Sequence, residues 1–275
     1  MNTKIKELAI SGGGVKGIAF LGALYQMDKY GLLKNIEKIA GTSIGSFIAT
    51  CLIIGYKPGE LLDIIFYLDL NSIKDINLKG IFKNKGIMKG ENYRKFIKEI
   101  IEKKINPNIT LIDLYKKTGK ELIICVSCLN TRTVEYISYK NNPDLELYTL
   151  ILMSSAIPGF LPPVLYKNKM YIDGGILDNI PLSQLSKDAW GICPIEDTSF
   201  IESESINFVK FFLGIHQMIV TSLQKEVKLN HKNIILIDTK HVEVTSFNVT
   251  YDDKITLIYS GINAVKKIFN HNFLT

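Results

Sequence analysis

The chain has 275 residues, and 47% of them are hydrophobic, which is enough to bury a substantial core. Its formal net charge of +6 comes from residues 1–120, which hold 20 Lys and Arg against 11 Asp and Glu. The sequence contains no internal repeat, no low-complexity tract and no Gly/Ser- or Pro-rich linker, and this excludes repeat and disordered proteins. We therefore predict a single domain over 1–275.

The distribution of apolar residues and cysteines predicts an intracellular protein, cytoplasmic or peripheral to membranes. The first strand-like segment begins within a few residues of the N-terminus, which leaves no room for the apolar region of a signal peptide. The longest apolar stretch, Phe47 to Tyr56, is too short to span a bilayer and is predicted to be a buried helix, so no transmembrane helix is expected. The cysteines give no disulfide framework, because the two that are closest, Cys125 and Cys128, point to opposite faces of a predicted strand.

The first predicted strand covers 5–10, and apolar residues at helical spacing predict a helix over Val15 to Tyr30. Gly12-Gly13-Gly14 connects them, and the free N–H groups of such a loop can face an anion. These glycines do not have the G-x-G-x-x-G spacing of a dinucleotide site. The phosphate-loop pattern G-x-x-x-x-G-K-[ST] is absent as well, so a nucleotide site is not indicated.

A second glycine-rich segment, Gly41-Thr42-Ser43-Ile44-Gly45, follows the second predicted strand, 36–40. In a G-x-S-x-G motif the serine stands on a sharp strand-to-helix turn, and a Cβ at either glycine would collide with neighbouring backbone. The pattern also arises by chance, so it does not establish a nucleophile in isolation. Together with the triple glycine, it indicates the oxyanion loop and nucleophile elbow of a serine acyl hydrolase.

Basic residues are concentrated in Lys74 to Lys104, which holds ten basic residues against four acidic ones. The segment is either a solvated loop and helix face or an interfacial patch for anionic lipid headgroups. We find no recognised nucleic-acid-binding motif and few aromatic residues in this segment. We therefore expect peripheral contact with a membrane surface as the functional alternative and no nucleic-acid partner.

Further strands are predicted at 122–129, 170–173 and 234–238, with 133–138 as a candidate antiparallel strand. A stripe of apolar residues at helical spacing lies between them, formed by Phe208, Phe211, Phe212, Ile215 and Ile219. We interpret this stripe as core packing, with a lid or an acyl-chain wall as the alternative.

Two more motifs complete the pattern. Ser154 to Pro163 ends a helix abruptly and continues as an apolar, proline-rich loop. The predicted strand near 170 leads into Asp173, which is followed by Gly174 and Gly175. An aspartate before two glycines is also a common turn former, so this motif alone leaves its role open.

With Ser11 to Gly17, Gly41 to Gly45, Ser154 to Pro163 and Asp173 to Gly175 in this order, the chain resembles the patatin-like phospholipase family. That family is marked by a glycine-rich oxyanion loop followed by Lys or Arg, a G-x-S-x-G serine, an S-x-A-I-P-x-x-x-P-P segment and a D-G-G aspartate. The resemblance is strong over residues 5–183 and weaker over 234–269, and residues 186–230 match the family poorly. Lys16 stands where many members have Arg, and Ile44 replaces the more common Ala.

The resemblance implies a three-layer α/β/α domain with a mainly parallel central sheet. It also implies a lipid acyl hydrolase of the phospholipase A type, which cleaves acyl esters of glycerophospholipids through an acyl-serine intermediate. In such sheets the site lies beyond the carboxyl ends of the strands, where the triple glycine, Ser43 and Asp173 are all expected.

The resemblance further implies that Ser43 is the nucleophile and Asp173 the general base, in a dyad without histidine. The backbone N–H groups of Gly12, Gly13, Gly14 and Ile44 are then candidate oxyanion donors. The supporting residues would be Lys16, Gly41, Gly45, Gly174 and Gly175, although Lys16 could equally be a solvated side chain. Neither a calcium loop nor a His pair at metal spacing is present, so no metal and no cofactor is expected.

Two alternatives remain. The first is an α/β hydrolase with a Ser-Asp-His triad, which the order of Ser43, Asp173 and any of four later histidines allows: His216, His231, His241 and His271. That fold needs several βα units before the nucleophile, whereas one predicted strand and one predicted helix precede the second strand and Ser43 here. The second alternative is a catalytically silent lipid-binding or regulatory protein on the same scaffold.

Overall fold

A computed structural model describes residues 4–195, 208–239 and 248–269. The strands in chain order are β1 Glu7–Ile10, β2 Lys38–Thr42, β3 Glu121–Cys128, β4 Thr133–Ile137, β5 Val164–Tyr166, β6 Lys169–Asp173, β7 Trp190–Pro194 and β8 Ile234–Ile237. The helices are α1 Gly17–Lys29, α2 Ile44–Ile53, α3 Pro58–Tyr67, α4 Ile81–Asn84, α5 Glu91–Glu102, α6 Leu111–Thr118, α7 Leu147–Ser154, α8 Phe208–Asn230 and α9 Tyr251–Phe269.

The strands form one mixed sheet flanked by helices, and this confirms the predicted α/β/α fold. Its centre is parallel, in the order β3-β2-β1-β7-β8, and β4 pairs with β3 in the antiparallel direction as predicted. Two strands were not predicted, β5 and β7. Both are short: β5 directly follows two prolines, and β7 contains a glycine and ends at a proline, so neither has a clear alternating pattern.

The carboxyl ends of β2 and β6 meet end to end. Thr42 at the end of β2 pairs with Cys125 of β3, and Asp173 at the end of β6 pairs with the next residue, Val126. The strands β2 and β6 lie on the same side of β3, because β4 pairs with its opposite side over both segments. Since β6 runs antiparallel to β3, it approaches β2 from the opposite direction and brings Asp173 next to Ser43.

The helices α1 and α9 pack closely because each has a glycine at the contact. A Cβ on Gly22 of α1 would overlap the carbonyl oxygen of Ile258, and a Cβ on Gly261 of α9 would overlap that of Ala19. This contact fixes α9 against the helix that follows the first glycine-rich loop. The predicted strand and helix over 234–269 are thus part of the same packed unit as β1 and α1.

A buried lysine of α9 holds the end of α3. Lys254 Nζ donates to the carbonyl oxygens of Ile65, Phe66 and Leu68 at 2.8–3.0 Å, which are groups that a helix end leaves unpaired. Burial lowers the pKa of Lys254, although the nearby charge of Asp69 opposes this shift. The segment held in this way continues into the wall of the apolar cavity described below.

The helix α8 differs from its predicted role as core packing. Phe211 is 54% exposed and Ile215 is 42% exposed. Met218, at the next helical position on the same face, is 74% exposed. Phe212 and Ile219 are half-buried, and the side chain of Phe208 lies outside the described part of the structure. Within the described residues, none of the helices is both long enough and apolar enough to cross a membrane.

Candidate active site

Ser43 stands on a sharp turn between β2 and α2. Its backbone has φ +53°, a conformation that side-chain-bearing residues seldom adopt. The flanking glycines permit the turn: a Cβ on Gly45 would overlap the carbonyl oxygen of Ile10, and a Cβ on Gly41 would lie 2.6 Å from the carbonyl oxygen of Gly45. Glycine at position 45 therefore lets the elbow pack directly against β1, and glycine at position 41 lets the turn close against its own backbone.

A second serine, for which no individual role was predicted, holds this turn in place. The backbone N–H of Ser43 donates to Ser154 Oγ at 2.8 Å, and Ser154 Oγ donates to the carbonyl oxygen of Cys125 at 2.7 Å. Ser154 is the last residue of α7 and is fully buried. It links the elbow to β3, and its place in the S-x-A-I-P motif was the only signal that could have identified it.

The first glycine-rich loop lies beside the elbow. The structure removes one residue from the predicted set of oxyanion donors. The N–H of Gly12 donates to the carbonyl oxygen of Asn179 at 3.0 Å, so it is not free to bind an oxyanion. No hydrogen bond among the described residues uses the N–H of Gly13, Gly14 or Ile44. These three amides are the candidate donors that the structure leaves available.

Asp173 is 1% exposed and has one oxygen occupied and one unpaired. Its Oδ1 accepts a hydrogen bond from the N–H of Gly175 at 2.7 Å. Its Oδ2 has no hydrogen-bond partner among the described residues. Gly174 allows the chain to turn here, because a Cβ would overlap the carbonyl oxygen of Cys125. A buried carboxylate oxygen without a partner is costly, and such an atom often marks a functional site.

Asn179 joins the glycine-rich loop to the Asp173 turn. Its Nδ2 donates to the carbonyl oxygen of Gly12 at 3.4 Å, and its Oδ1 occupies space that a Cβ on Gly12 or Gly175 would need. The side chain is buried, so these contacts hold the loop and the turn together. This role was not predicted, because a single Asn six residues after an Asp has no specific signature.

Ser43, Asp173 and the triple glycine line one narrow cavity of about 20 Å³, which is room for about one water molecule. Lys16 lines it as well and is 3% exposed, so the alternative of a solvated side chain is wrong. One wall of the cavity is α8, which contributes Gln217 and Val220.

One predicted triad histidine also reaches this cavity. His216 of α8 lies with Nε2 3.9 Å from Asp173 Oδ1, and Nε2 has no hydrogen-bond partner among the described residues. No hydrogen bond joins His216 to Ser43 within the part of the chain that is described. His231 lies just before β8 and does not line the cavity, and His241 and His271 lie outside the described residues.

A second cavity that Ser43 also lines is apolar and has a volume of about 120 Å³. Its walls come from the elbow, the end of α3, the start of α5 and the proline-rich loop, and they include Ile44, Phe47, Ile65, Leu70, Phe96 and Phe160. Tyr93 donates to Ser155 Oγ at 3.1 Å in the same wall. Burial raises the pKa of Tyr93 to about 12, so its hydroxyl stays neutral.

The described residues contain no cluster of three or more His, Cys, Asp or Glu side chains that could hold a metal ion. All four cysteines are buried and none forms a disulfide.

A sequence model described as patatin-like phospholipase matches residues 8–186 of the chain. Among relatives, "Uncharacterized protein R571" of Acanthamoeba polyphaga mimivirus is 29% identical over 98% of this chain and 96% of its own length. "Probable lipid hydrolase 463L" of Invertebrate iridescent virus 6 is 33% identical over 64% of this chain and 62% of its own length. The crystal structure of VipD from Legionella pneumophila matches 98% of this chain and 67% of its own at a TM-score of 0.74 and 18% identity, which shows a shared fold.

Proposed function

Because the chain belongs to the patatin-like phospholipase family, we propose that it hydrolyses acyl esters of glycerophospholipids as a phospholipase A. Lipid hydrolysis is the activity that the family indicates, and the name of the iridescent virus relative agrees with it. The products would be a free fatty acid and a lysophospholipid.

The observation that carries this proposal is the apolar cavity that begins at Ser43. A fatty acyl chain needs an apolar channel next to the nucleophile, and this cavity is lined almost entirely by aliphatic and aromatic side chains. The ester carbonyl would then lie at the elbow, between the acyl cavity and the polar cavity that contains Asp173. In this arrangement the acyl chain lies in the apolar cavity and the general base lies in the polar cavity.

In the first half-reaction, Ser43 Oγ attacks the ester carbonyl and its proton passes to Asp173 Oδ2. The carbonyl π electrons move to oxygen, and the resulting oxyanion is bound by the N–H groups of Gly13, Gly14 and Ile44. Lys16 also lines the cavity in which this oxyanion would form. Collapse of the intermediate breaks the ester C–O bond, and the leaving alkoxide takes the proton from Asp173.

In the second half-reaction, water loses a proton to Asp173 and attacks the acyl-Ser43 carbonyl. Collapse breaks the bond between carbon and Ser43 Oγ and releases the fatty acid, and Ser43 regains its proton from Asp173. Gly175 holds Oδ1 through its N–H, so the unpaired Oδ2 is the oxygen that we assign to proton transfer.

Replacing His216 with Gln is expected to leave the rate of ester hydrolysis within about threefold of the wild type. A triad needs the imidazole between the serine and the aspartate, but His216 approaches Asp173 from α8 and makes no described hydrogen bond to Ser43. The measurement is kcat/KM on a soluble ester, with His231→Gln as the matched control. A loss of about ten-thousandfold in His216→Gln would replace the dyad by a triad.

The substrate assignment is tested with purified protein on mixed diacyl phospholipids, followed by mass spectrometry of the products. We expect fatty acid and lysophospholipid in equal amounts, whereas a silent lipid-binding protein would release neither.

The variant Leu70→Trp fills the apolar cavity and should reduce hydrolysis of a long-chain ester at least tenfold more than that of an acetyl ester. The control is Leu165→Trp at an exposed position of β5, and an equal loss on both esters in Leu70→Trp would show that the cavity does not bind the acyl chain.

A further inference from the structure

The helix α8 has one face at the cavity that contains Asp173 and one face exposed to solvent. Its inner face contributes His216 and Val220 to the catalytic cavity, and its outer face carries Phe211, Ile215 and Met218, which we call the outer stripe. The spacing i, i+4 and i+7 places the three on one side of the helix. Exposed apolar side chains aligned on one helix face commonly mark a binding surface.

A second exposed element lies beside α8. Residues 76–89, which we call the basic segment, expose Ile76 and Leu78 together with Lys79, Lys83, Lys85 and Lys89. Among the described residues, none of these four lysines is paired with a carboxylate. Other lysines of the predicted patch are engaged elsewhere: Lys95 pairs with Glu99, Lys98 lies over the ring of Tyr148, and Lys104 pairs with Glu60.

The proline-rich loop connects the two elements. The N–H of Ile87 donates to the carbonyl oxygen of Gly159 at 3.1 Å, which ties the basic segment to that loop. The Cα of Gly159 faces the ring of Phe212, where a Cβ would lie 3.0 Å from the ring. Leu213 packs against the same apolar cluster as Ile87, which contains Ile157 and Phe160. The basic segment and α8 therefore lie on either side of one loop whose Ile157 lines both cavities at Ser43.

We infer that the outer stripe and the basic segment together form a docking surface for an anionic lipid bilayer. Unpaired lysines complement anionic headgroups, and protruding Phe, Ile, Leu and Met side chains enter the boundary between headgroups and acyl chains. The inference deepens the proposed function and rests on it for the choice of a lipid surface. Docking here would bring the loop whose Ile157 lines both cavities close to the bilayer that supplies the substrate.

The test measures binding to vesicles in a Ser43→Ala background, so that it does not depend on hydrolysis. Vesicles of phosphatidylcholine with phosphatidylglycerol are compared with vesicles of phosphatidylcholine alone. Changing Lys79, Lys83, Lys85 and Lys89 to Gln should weaken binding to the anionic vesicles by roughly a thousandfold at 0.1 M salt. The difference from the parent should shrink at 1 M salt, where the Debye length is about 3 Å.

The outer stripe is tested by changing Phe211, Ile215 and Met218 to Ser, which should weaken binding to both kinds of vesicle about tenfold. The charge control changes four exposed lysines that precede β1, β2 and β3 to Gln: Lys4, Lys34, Lys116 and Lys117. The apolar control changes two exposed residues of α9, Ile255 and Tyr259, to Ser. These controls should bind like the parent, and thermal unfolding should confirm that every variant is folded.

Equal weakening in the docking variants and their controls would overturn the inference, because nonspecific charge and apolarity would then account for binding. Unchanged binding in either docking variant would overturn it as well. Loss of self-association in the stripe variant with unchanged vesicle binding would assign the stripe to a second copy of the chain. Since the readout is binding, failure of the docking surface leaves the hydrolase assignment intact, and a protein that binds but releases no fatty acid fails only the latter.

Discussion

Replacing Ser43 with Ala is expected to reduce hydrolysis of acyl esters by at least about ten-thousandfold. The variant removes the only atom that our mechanism allows to form the acyl intermediate, and the remaining donors can stabilise only an uncatalysed attack by water. The same loss is expected for Asp173→Asn, because an amide cannot accept the Ser43 proton. The measurement is kcat/KM on a soluble ester and on diacyl phospholipid.

The double variant should be little slower than either single variant, because the two side chains act as one unit. Thermal unfolding of each variant provides the control for folding. Asp173→Asn should unfold within a few degrees of the wild type, since the amide oxygen can still accept from the N–H of Gly175. Activity within tenfold of the wild type in either single variant would remove that residue from the mechanism.

Gly45→Ala is expected to destabilise the protein by more than about 3 kcal/mol and to abolish activity. The added Cβ overlaps the backbone carbonyl of Ile10 in the central strand β1, which cannot move away without losing its pairing with β2 and β7. A loss of this size should lower the midpoint of thermal unfolding by about 5 °C or more.

The matched control for this prediction is Gly59→Ala near the start of α3. A Cβ there would have Tyr25 as its nearest neighbour at 3.7 Å, which is an ordinary van der Waals contact. Alanine also favours helix more than glycine does, so this control should be as stable as the wild type or more stable. A Gly45→Ala variant that unfolds like the control and remains active would contradict the packing of the elbow described above.

The motifs predicted the elements that carry chemistry, because each motif encodes a local requirement. A serine at positive φ between two close backbone contacts requires glycine on both sides, so the roles of Gly41 and Gly45 in the turn could be predicted from the sequence. The strand β3 could also be predicted locally, because it is a long run of mainly apolar residues. The end-to-end approach of β2 and β6 could not be predicted from the sequence, because strand direction depends on pairing partners that are distant in the chain.

Contacts between residues that are distant in the chain explain the remaining differences between the predicted and the observed site. The N–H of Gly12 was predicted as an oxyanion donor, but it donates to the carbonyl oxygen of Asn179, a contact that no local pattern in the sequence indicates. Lys16 is buried, although a lysine after a glycine-rich loop is equally compatible with solvent. The stripe on α8 had the spacing of a core helix, and only the packed structure separates its exposed face from the face that meets Asp173.

The most direct measurement of the central claim is the detection of the acyl-enzyme on Ser43. Wild-type protein is mixed with diacyl phospholipid, quenched within one turnover, digested and examined by peptide mass spectrometry. We predict that the peptide containing Ser43 gains the mass of one fatty acyl group, that the group disappears as free fatty acid accumulates, and that Ser43→Ala carries no such group. Acylation at a different residue, or release of fatty acid by Ser43→Ala at the wild-type rate, would contradict the account.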